Sequence, residues 1–402
     1  MSSPPGGLGL ARRMRLGLYI SVPFCRTKCS YCNFASDVFS KAVFRRYVDR
    51  VCEDLEQAER TASEMGGCFE RAVDSVYLGG GTPTVLAGAE LERLFRATRQ
   101  NFEVSPHAEI TVECAPGTLT GGMMETLLRC GVNRVSLGVQ SFVDAEAAAV
   151  GRLHKRATVL GDIARLRTAG ITNINIDLIA GLPHQTPASW EVSLSETIAT
   201  GVPHVSVYML EVDEESRLGR ELIAGGTKYH AHFVPDEDLT ADFYETACER
   251  LNASEILQYE ISNFARAGFE SRHNLKYWTR QPYMGFGVDA HSMLEVSEGG
   301  AVRYSTSDVL DEYVSSGRRK STRVSAQEGL EESFFLGLRL TQGIDLEKLA
   351  HEFGSTRVEE TSDTIHNLVS SGLMAREGKI VRLTPRGRLV SNEVFERFLV
   401  KQ

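Results

Sequence analysis

Short runs rich in Val, Ile, Leu and Tyr recur along the first half of the chain: LGLYISV (16–22), DSVYLG (74–79), AEITVEC (108–114), NRVSLGV (133–139), INIDLIA (174–180) and HVSVYML (204–210). Longer segments with helical spacing lie between them, among them VFRRYVDRVCEDLEQAERTASEM, AELERLFRATRQNF and GGMMETLLRCG. Strands that alternate with helices build a parallel sheet from βαβ units. The pattern predicts an α/β fold, a partial or full TIM-like barrel over 16–225. A doubly wound open sheet has the same alternation and stays open as the other reading. In both, residues at the carboxyl ends of the strands carry the chemistry.

From 226 to 325 the pattern loosens into an acidic helix near 237–252 and an aromatic, Gly-containing stretch from Tyr259 to His291, an extension of the core. From 326 a third unit begins. EGLEESFFLGLRL, DLEKLAHEF and RVEETSDTIHNLVSSG predict three helices. The last stretch, LMAREGKIVRLTPRGRLVSNEVFERFL, predicts a β-ribbon turning at Glu377, Gly378 and Lys379, then a helix opened by Leu383 and Thr384. That order reads as a winged-helix-like α+β domain over 326–402. Residues 1–15 form an N-terminal tail, too short and too rich in Pro and Gly to predict a transit helix.

A chain of 402 residues with 42% hydrophobic and 24% charged residues exceeds one typical core and reads as a folded protein of two or three units. It contains no apolar run of about 18 residues and no apolar secretory stretch, so neither a membrane span nor export is predicted. A cytoplasmic protein is expected, with peripheral membrane contact left open. The net charge of −9 argues against a generic nucleic-acid surface. Eight cysteines are too few for a disulfide scaffold, yet three fall within eight positions. Cys52, Cys68, Cys114, Cys130 and Cys248 read as buried or unreactive thiols.

The three clustered cysteines, Cys25, Cys29 and Cys32, form a CxxxCxxC sequence just after the first strand. Structural zinc prefers four protein ligands, and no Cys or His follows within nineteen positions. Three thiolates suit a [4Fe-4S] cluster with one iron lacking a protein ligand.

This motif resembles that of radical S-adenosylmethionine (SAM) proteins, in which the open iron chelates the amino and carboxylate groups of SAM. The resemblance implies that an electron from the cluster cleaves SAM to methionine and a 5′-deoxyadenosyl radical. Leu78-Gly-Gly-Gly-Thr-Pro83 resembles the family's segment that approaches the SAM amino group, although GGGTP alone is equally a tight turn. Tyr19 and VPFC, GGGTPT, GVQSF, GRLHKR, NIDLIAGLPHQT, YEISNFAR and RHNLKYW resemble the oxygen-independent coproporphyrinogen III oxidase group, over nearly the whole chain from residue 16. Position by position, the resemblance implies SAM contacts at Tyr19, Tyr31, Gly80, Gly81, Thr82, Glu113, Gln140, Arg152 and Asp177. Glu113 and Asp177 are suited to accept hydrogen bonds from an ammonium or from ribose hydroxyls, and Arg152 to pair with a carboxylate. A salt bridge or cap is the structural alternative for each.

Two departures separate the chain from the oxidases of that group and bring it nearer the group's haem chaperones. The oxidases carry a further cysteine two positions beyond the third ligand, where this sequence has Asn33 and then Phe34. They also carry an N-terminal arm, whereas about fifteen residues precede the first strand here. The chaperone resemblance implies haem as ligand, an apo-haemoprotein as recipient and cluster-linked dimerisation. His273, in RHNLKYW, is the first candidate axial ligand to haem, with His291 second and His154 and His184 behind. The alternative reading has His273 and Asn274 capping a helix while Tyr277 and Trp278 pack in the core. A radical enzyme acting on a tetrapyrrole, by decarboxylation or methyl transfer, is the second function class. A nucleic-acid regulator using Arg382, Arg386 and Arg388 is the third. It is disfavoured, because acidic residues interleave and the recognition helix would begin Val358-Glu-Glu.

Overall fold

A computed structural model describes residues 14–399; the expected N-terminal tail, apart from Met14 and Arg15, lies outside the described residues. Six parallel strands form in the expected places: β1 (Leu16–Val22), β2 (Ala72–Gly80), β3 (Glu103–Cys114), β4 (Arg134–Gln140), β5 (Asn173–Ala180) and β6 (His204–Met209). They stand side by side in sequence order. A doubly wound sheet reverses its order at a switch point, and no reversal occurs here, so the barrel reading holds. The barrel is partial. The outer neighbour of β1 is β9 (Tyr283–Phe286), and that of β6 is β8 (Asn263–Ala265), which also pairs with β7 (Leu257–Gln258).

Alternation along these strands separates two chemistries. On one face lie Leu18, Ile20, Val112, Leu137, Ile176 and Val205, all fully buried beneath helices such as Lys41–Glu56, which contributes Phe44, Tyr47, Val48 and Val51. The other face is polar from strand to strand. Register pairs Tyr19 with Tyr77, Glu113 with Ser136, Ser136 with Asn175 and Asn175 with His204. Buried polar groups are costly unless paired, and these are paired. Asn175 Nδ2 lies 2.8 Å from Ser136 Oγ and 3.0 Å from Ser206 Oγ. His204 places Nδ1 at 2.6 Å from Asn175 Oδ1 and Nε2 at 2.9 Å from the Tyr259 hydroxyl.

Beyond β9 the sheet continues antiparallel through β10 (His291–Glu295), β11 (Ala301–Thr306) and β12 (Arg319–Val324). The C-terminal unit has its own core, with Phe334 stacked on Phe398 at 4.3 Å. Its β13 (Ile344–Asp345), β14 (Met374–Glu377) and β15 (Ile380–Leu383) form a three-stranded sheet in the order β13-β15-β14. Two ion pairs to Glu332, from Arg280 at 3.0 Å and Arg303 at 2.6 Å, tie the unit to the extended sheet. Between them lies a cavity of about 750 Å³ lined by Trp278, Met293, Leu349 and Phe353, which shares no lining residue with the cysteine loop.

Candidate functional site

The cysteine loop leaves the carboxyl end of β1 and is closed at its base by backbone. Cys25 N donates to Asp37 O and Asp37 N to Pro23 O, both at 3.0 Å. Lys28 Nζ braces it from within, donating to Phe34 O at 2.7 Å and Ser36 O at 2.6 Å. Ser30 N reaches Val150 O at 3.2 Å, and Thr27 Oγ1 reaches Gly151 O at the same distance, so the loop also rests on the segment after β4. The preceding Phe24 stacks on Phe44 at 4.1 Å and anchors the base in the core. None of these bonds uses a cysteine sulfur, which leaves the thiols available to a ligand.

Gly80 and Gly81 bring the end of β2 against the start of this loop. At Gly81 a Cβ would lie 2.8 Å from the carbonyl oxygens of Val22 and Phe24, while Gly80 adopts φ +98° with Tyr19 Oη close by. Gly80 N donates to Glu113 Oε2 at 3.1 Å and the Tyr77 hydroxyl to Oε1 at 2.8 Å. Burial pushes the Glu113 carboxyl up to about 7, against the lowering effect of the Tyr77 bond. Thr82 Oγ1 stands 3.9 Å from Cys25 Sγ. Burial likewise raises the Cys25 thiol, so binding iron there must displace a proton.

On the opposite side, Arg152 Nη2 donates to the Tyr31 hydroxyl at 3.0 Å. Burial opposes the guanidinium charge, but Tyr31 and Cys29 hold it above its ordinary value. Asp177 accepts from Ser136 Oγ at 3.0 Å and from Asn175 Nδ2 at 2.7 Å, and burial raises its carboxyl. Gln140 closes β4 with φ +69°, beside an irregularity in the pairing with β5. A left-handed non-glycine residue at a strand end is a strained conformation of the kind that clusters at sites.

These residues face one another. The Asp177 charge raises the Glu113 carboxyl, and Cys29 and Asp177 both favour the charged form of Arg152. Among the described residues no three His, Cys, Asp or Glu side chains converge as one ion would require. A four-iron cluster takes one thiolate on each of three irons, so its ligands stand apart. The residues fit SAM as well. Two half-buried carboxylates match a cationic ligand, and Arg152 Nε is buried without a partner, a donor suited to a carboxylate.

His273 is placed elsewhere. It lies on the short helix Arg272–Trp278, near the amino ends of the strands, and is 1% exposed. Its Nδ1 is 3.0 Å from Ser75 Oγ and its Nε2 2.8 Å from the Tyr277 hydroxyl. Its ring stacks on Tyr77 at 5.3 Å, and burial lowers its pKa to about 3. Both nitrogens are therefore engaged. The helix is capped by Ser271, whose hydroxyl accepts from Asn274 N, and by the Glu109 carboxylate, which accepts from Arg272 N and His273 N at 3.1 Å each. Neither His273 nor Asn274 supplies the cap. Tyr277 packs edge-on against Tyr283 at 4.6 Å, and Trp278 lies under the Arg339 guanidinium at 4.3 Å. His154 is buried against Val139 O at 3.1 Å, and burial lowers it to about 4. His291 is exposed, 3.6 Å from Asp289.

Sequence reasoning passed over Tyr77, which orients Glu113, and Arg134, fully enclosed in the polar interior, whose charge acts on both Glu113 and Asp177. Strand alternation was the signal for both.

Comparison with known proteins places this arrangement. Residues 19–196 match the Radical SAM superfamily and residues 324–390 the HemN C-terminal domain. The protein named Heme chaperone HemW from Bacillus subtilis is 33% identical over 388 residues, covering 95% of this chain and 98% of that protein. Its namesake from Lactococcus lactis is 31% identical over 386 residues, covering 95% and 97%. The Mus musculus protein named Radical S-adenosyl methionine domain-containing protein 1, mitochondrial, is 29% identical, covering 94% and 85%. The solved structure of the Escherichia coli coproporphyrinogen III oxidase HemN superposes with a TM-score of 0.81 at 22% identity, covering 96% of this chain and 90% of that one, a likeness of fold. With the cysteine loop and the polar barrel mouth in place, and with full-length similarity to its named relatives, the chain belongs to the HemW family of radical SAM proteins.

Proposed function

We propose that this protein is a haem carrier: it binds haem and delivers it to apo-haemoproteins, and it holds a [4Fe-4S] cluster through Cys25, Cys29 and Cys32 together with SAM. Bound together, cluster and SAM supply one-electron chemistry at the barrel mouth. Arg152 holds the SAM carboxylate, Glu113 and Gly80 to Thr82 hold its ammonium, and Asp177 and Gln140 hold the ribose side. Tyr19 and Tyr31 would wall the site. In this reading the protein works in the cytoplasm and forms a cluster-linked homodimer, with any membrane contact peripheral. No helix among the described residues is long and apolar enough to cross a membrane.

The observation that carries the choice of carrier over oxidase is position 34. The oxidases place a cysteine there, and here Phe34 stands 65% exposed on the loop. A side chain without a thiol cannot do that cysteine's chemistry. The expected result is that cluster-loaded protein, supplied anaerobically with SAM and reductant, leaves coproporphyrinogen III unconverted, as read by chromatography of the porphyrins. Catalytic conversion would return the protein to the oxidases.

A further inference from the structure

Near the amino ends of the barrel strands, register sets Thr111 of β3 beside Arg134 of β4 and Arg134 beside Asn173 of β5. All three belong to the polar face, because Val112, Val135 and Ile174, the next residue on each strand, are fully buried in the core. Each carries a buried polar atom without a hydrogen-bond partner: Thr111 Oγ1, Arg134 Nε and Asn173 Oδ1. Buried polar groups are nearly always paired. Three orphans in one row, on adjacent strands, point to a binding position.

Arg134 carries the most weight. It is 2% exposed, and among the described residues no carboxylate forms an ion pair with it. The acids around it are engaged elsewhere. Glu109 accepts from Arg272 N and His273 N at 3.1 Å each, Glu113 from Tyr77 and Gly80, and Asp177 from Ser136 and Asn175, while Glu260 pairs with Arg339 at 3.4 Å. A buried charge without a partner destabilises a fold, and an anionic ligand offsets that cost. The space beside it is open: on the polar face of β6, Tyr208 is 42% exposed, and Tyr19, Tyr77, Glu113 and Asp177 are half-buried although they point inward. The Arg134 charge is felt by Tyr77, Tyr259 and His273 around this lumen.

The position is separate from the SAM residues. Arg134 opens β4 and Gln140 closes it, and a strand of 7 residues places its ends about 20 Å apart. The Arg134 end is also that of the RHNLKYW helix, whose start is held by Glu109, two residues before Thr111. We propose that Arg134, with Thr111 and Asn173, seats a carboxylate at the base of the lumen, and that this carboxylate is a propionate of the bound haem; this rests on the haem-carrier reading above. The guanidinium fork donates to both carboxylate oxygens. The Thr111 hydroxyl donates a further bond, as does the Asn173 amide once turned to present Nδ2. Glu109, Glu113 and Asp177 disfavour a more highly charged anion such as phosphate, and the Tyr19, Tyr77, Tyr208 and Tyr259 rings suit a flat macrocycle.

The test titrates the full chain with ferric haem and with its dimethyl ester, which lacks the propionate charges, following the Soret band. Arg134→Gln is expected to bind haem at least about tenfold more weakly, to bind the ester within about twofold of wild type, and to keep the wild-type Soret position. Arg134→Lys, which keeps the charge without the fork, is expected to recover part of the loss. SAM affinity is unchanged in both variants, whereas a matching loss for SAM assigns Arg134 to the SAM carboxylate and overturns the proposal. Without ligand, Arg134→Gln is expected to melt no lower than wild type, since no partner is lost. A lower melting temperature with equal weakening for haem and ester makes Arg134 a structural residue and overturns the proposal. Unchanged haem affinity in Arg134→Gln overturns it while leaving the carrier reading intact. Failure of the wild-type chain to take up haem overturns both.

Discussion

Cys25→Ala is expected to reduce cluster iron from about four atoms per chain after anaerobic reconstitution to near zero, with little change in thermal stability. The loop is held by Cys25 N to Asp37 O, by Lys28 and by Phe24 in the core, and none of these uses the sulfur. Loss of the thiol removes a ligand without removing a strut, so the shift in Tm should correspond to less than about 1 kcal/mol, the range for a substitution that breaks no packing. Iron analysis and a melting curve on the same sample decide it. A full iron complement would show that the cluster is held elsewhere, and collapse of the melt would show that the cysteine is structural.

The second large effect is expected from Glu113→Gln. Burial raises this carboxyl from 4.5 to about 7 in the folded chain. A raised acid contributes stability that is present below its unfolded value and lost as pH rises through its folded value. Gln at 113 does not titrate and so escapes that loss. Between pH 4.5 and pH 8 the stability difference should therefore move in the variant's favour, on the order of 2 kcal/mol. Above about pH 7, where the Glu113 carboxyl is ionised, SAM binding should weaken at least about tenfold if this carboxylate meets the SAM ammonium as proposed. Denaturant melts at the two pH values and equilibrium dialysis with SAM test the two halves. A stability difference that does not change with pH, or unaltered SAM affinity, would make Glu113 an ordinary strand residue.

Much of the barrel was legible from the strand runs. β1 matches its run in full, and the start of β3 is the main exception. Its first residues pair with Ala72 and Val73, and the register then jumps, with Pro106 in the interruption; proline in a strand commonly marks such a bulge. The long helix expected after residue 42 breaks at Gln57, and the one expected over 357–372 divides after Glu359. The antiparallel extension left little trace. β12 reads RKSTRV and is exposed along most of its length, so no apolar run announces it.

The polar interior was written in the strands but pointed both ways. Tyr19 and Ser21 between Leu18, Ile20 and Val22 have the period of a strand with one face in water. Only when the sheet curls does that face become a lumen, which is why Tyr77 and Arg134 escaped notice. The three clustered cysteines were legible because they share one loop. The contact of His184 Nε2 with His230 Nδ1 at 3.1 Å was not: the two are separated by 46 positions, and they meet through the segment that Glu221 holds by accepting from Tyr229 N and Ala231 N. The HNLKYW segment showed its composition but not its placement. Its composition suits haem, yet Ser75, Tyr77 and Glu109 draw it into the base of the barrel, where Ser271 serves as the cap.

The most direct measurement of the central claim is a haem titration of cluster-loaded protein, without oxygen and with SAM and reductant present, following the Soret band and 5′-deoxyadenosine together. A haem carrier gives a Soret band that saturates at a fixed stoichiometric ratio of haem to chain, with little SAM cleaved. Repeated turnover to 5′-deoxyadenosine without haem uptake would contradict the claim and make the protein a radical enzyme instead of a carrier.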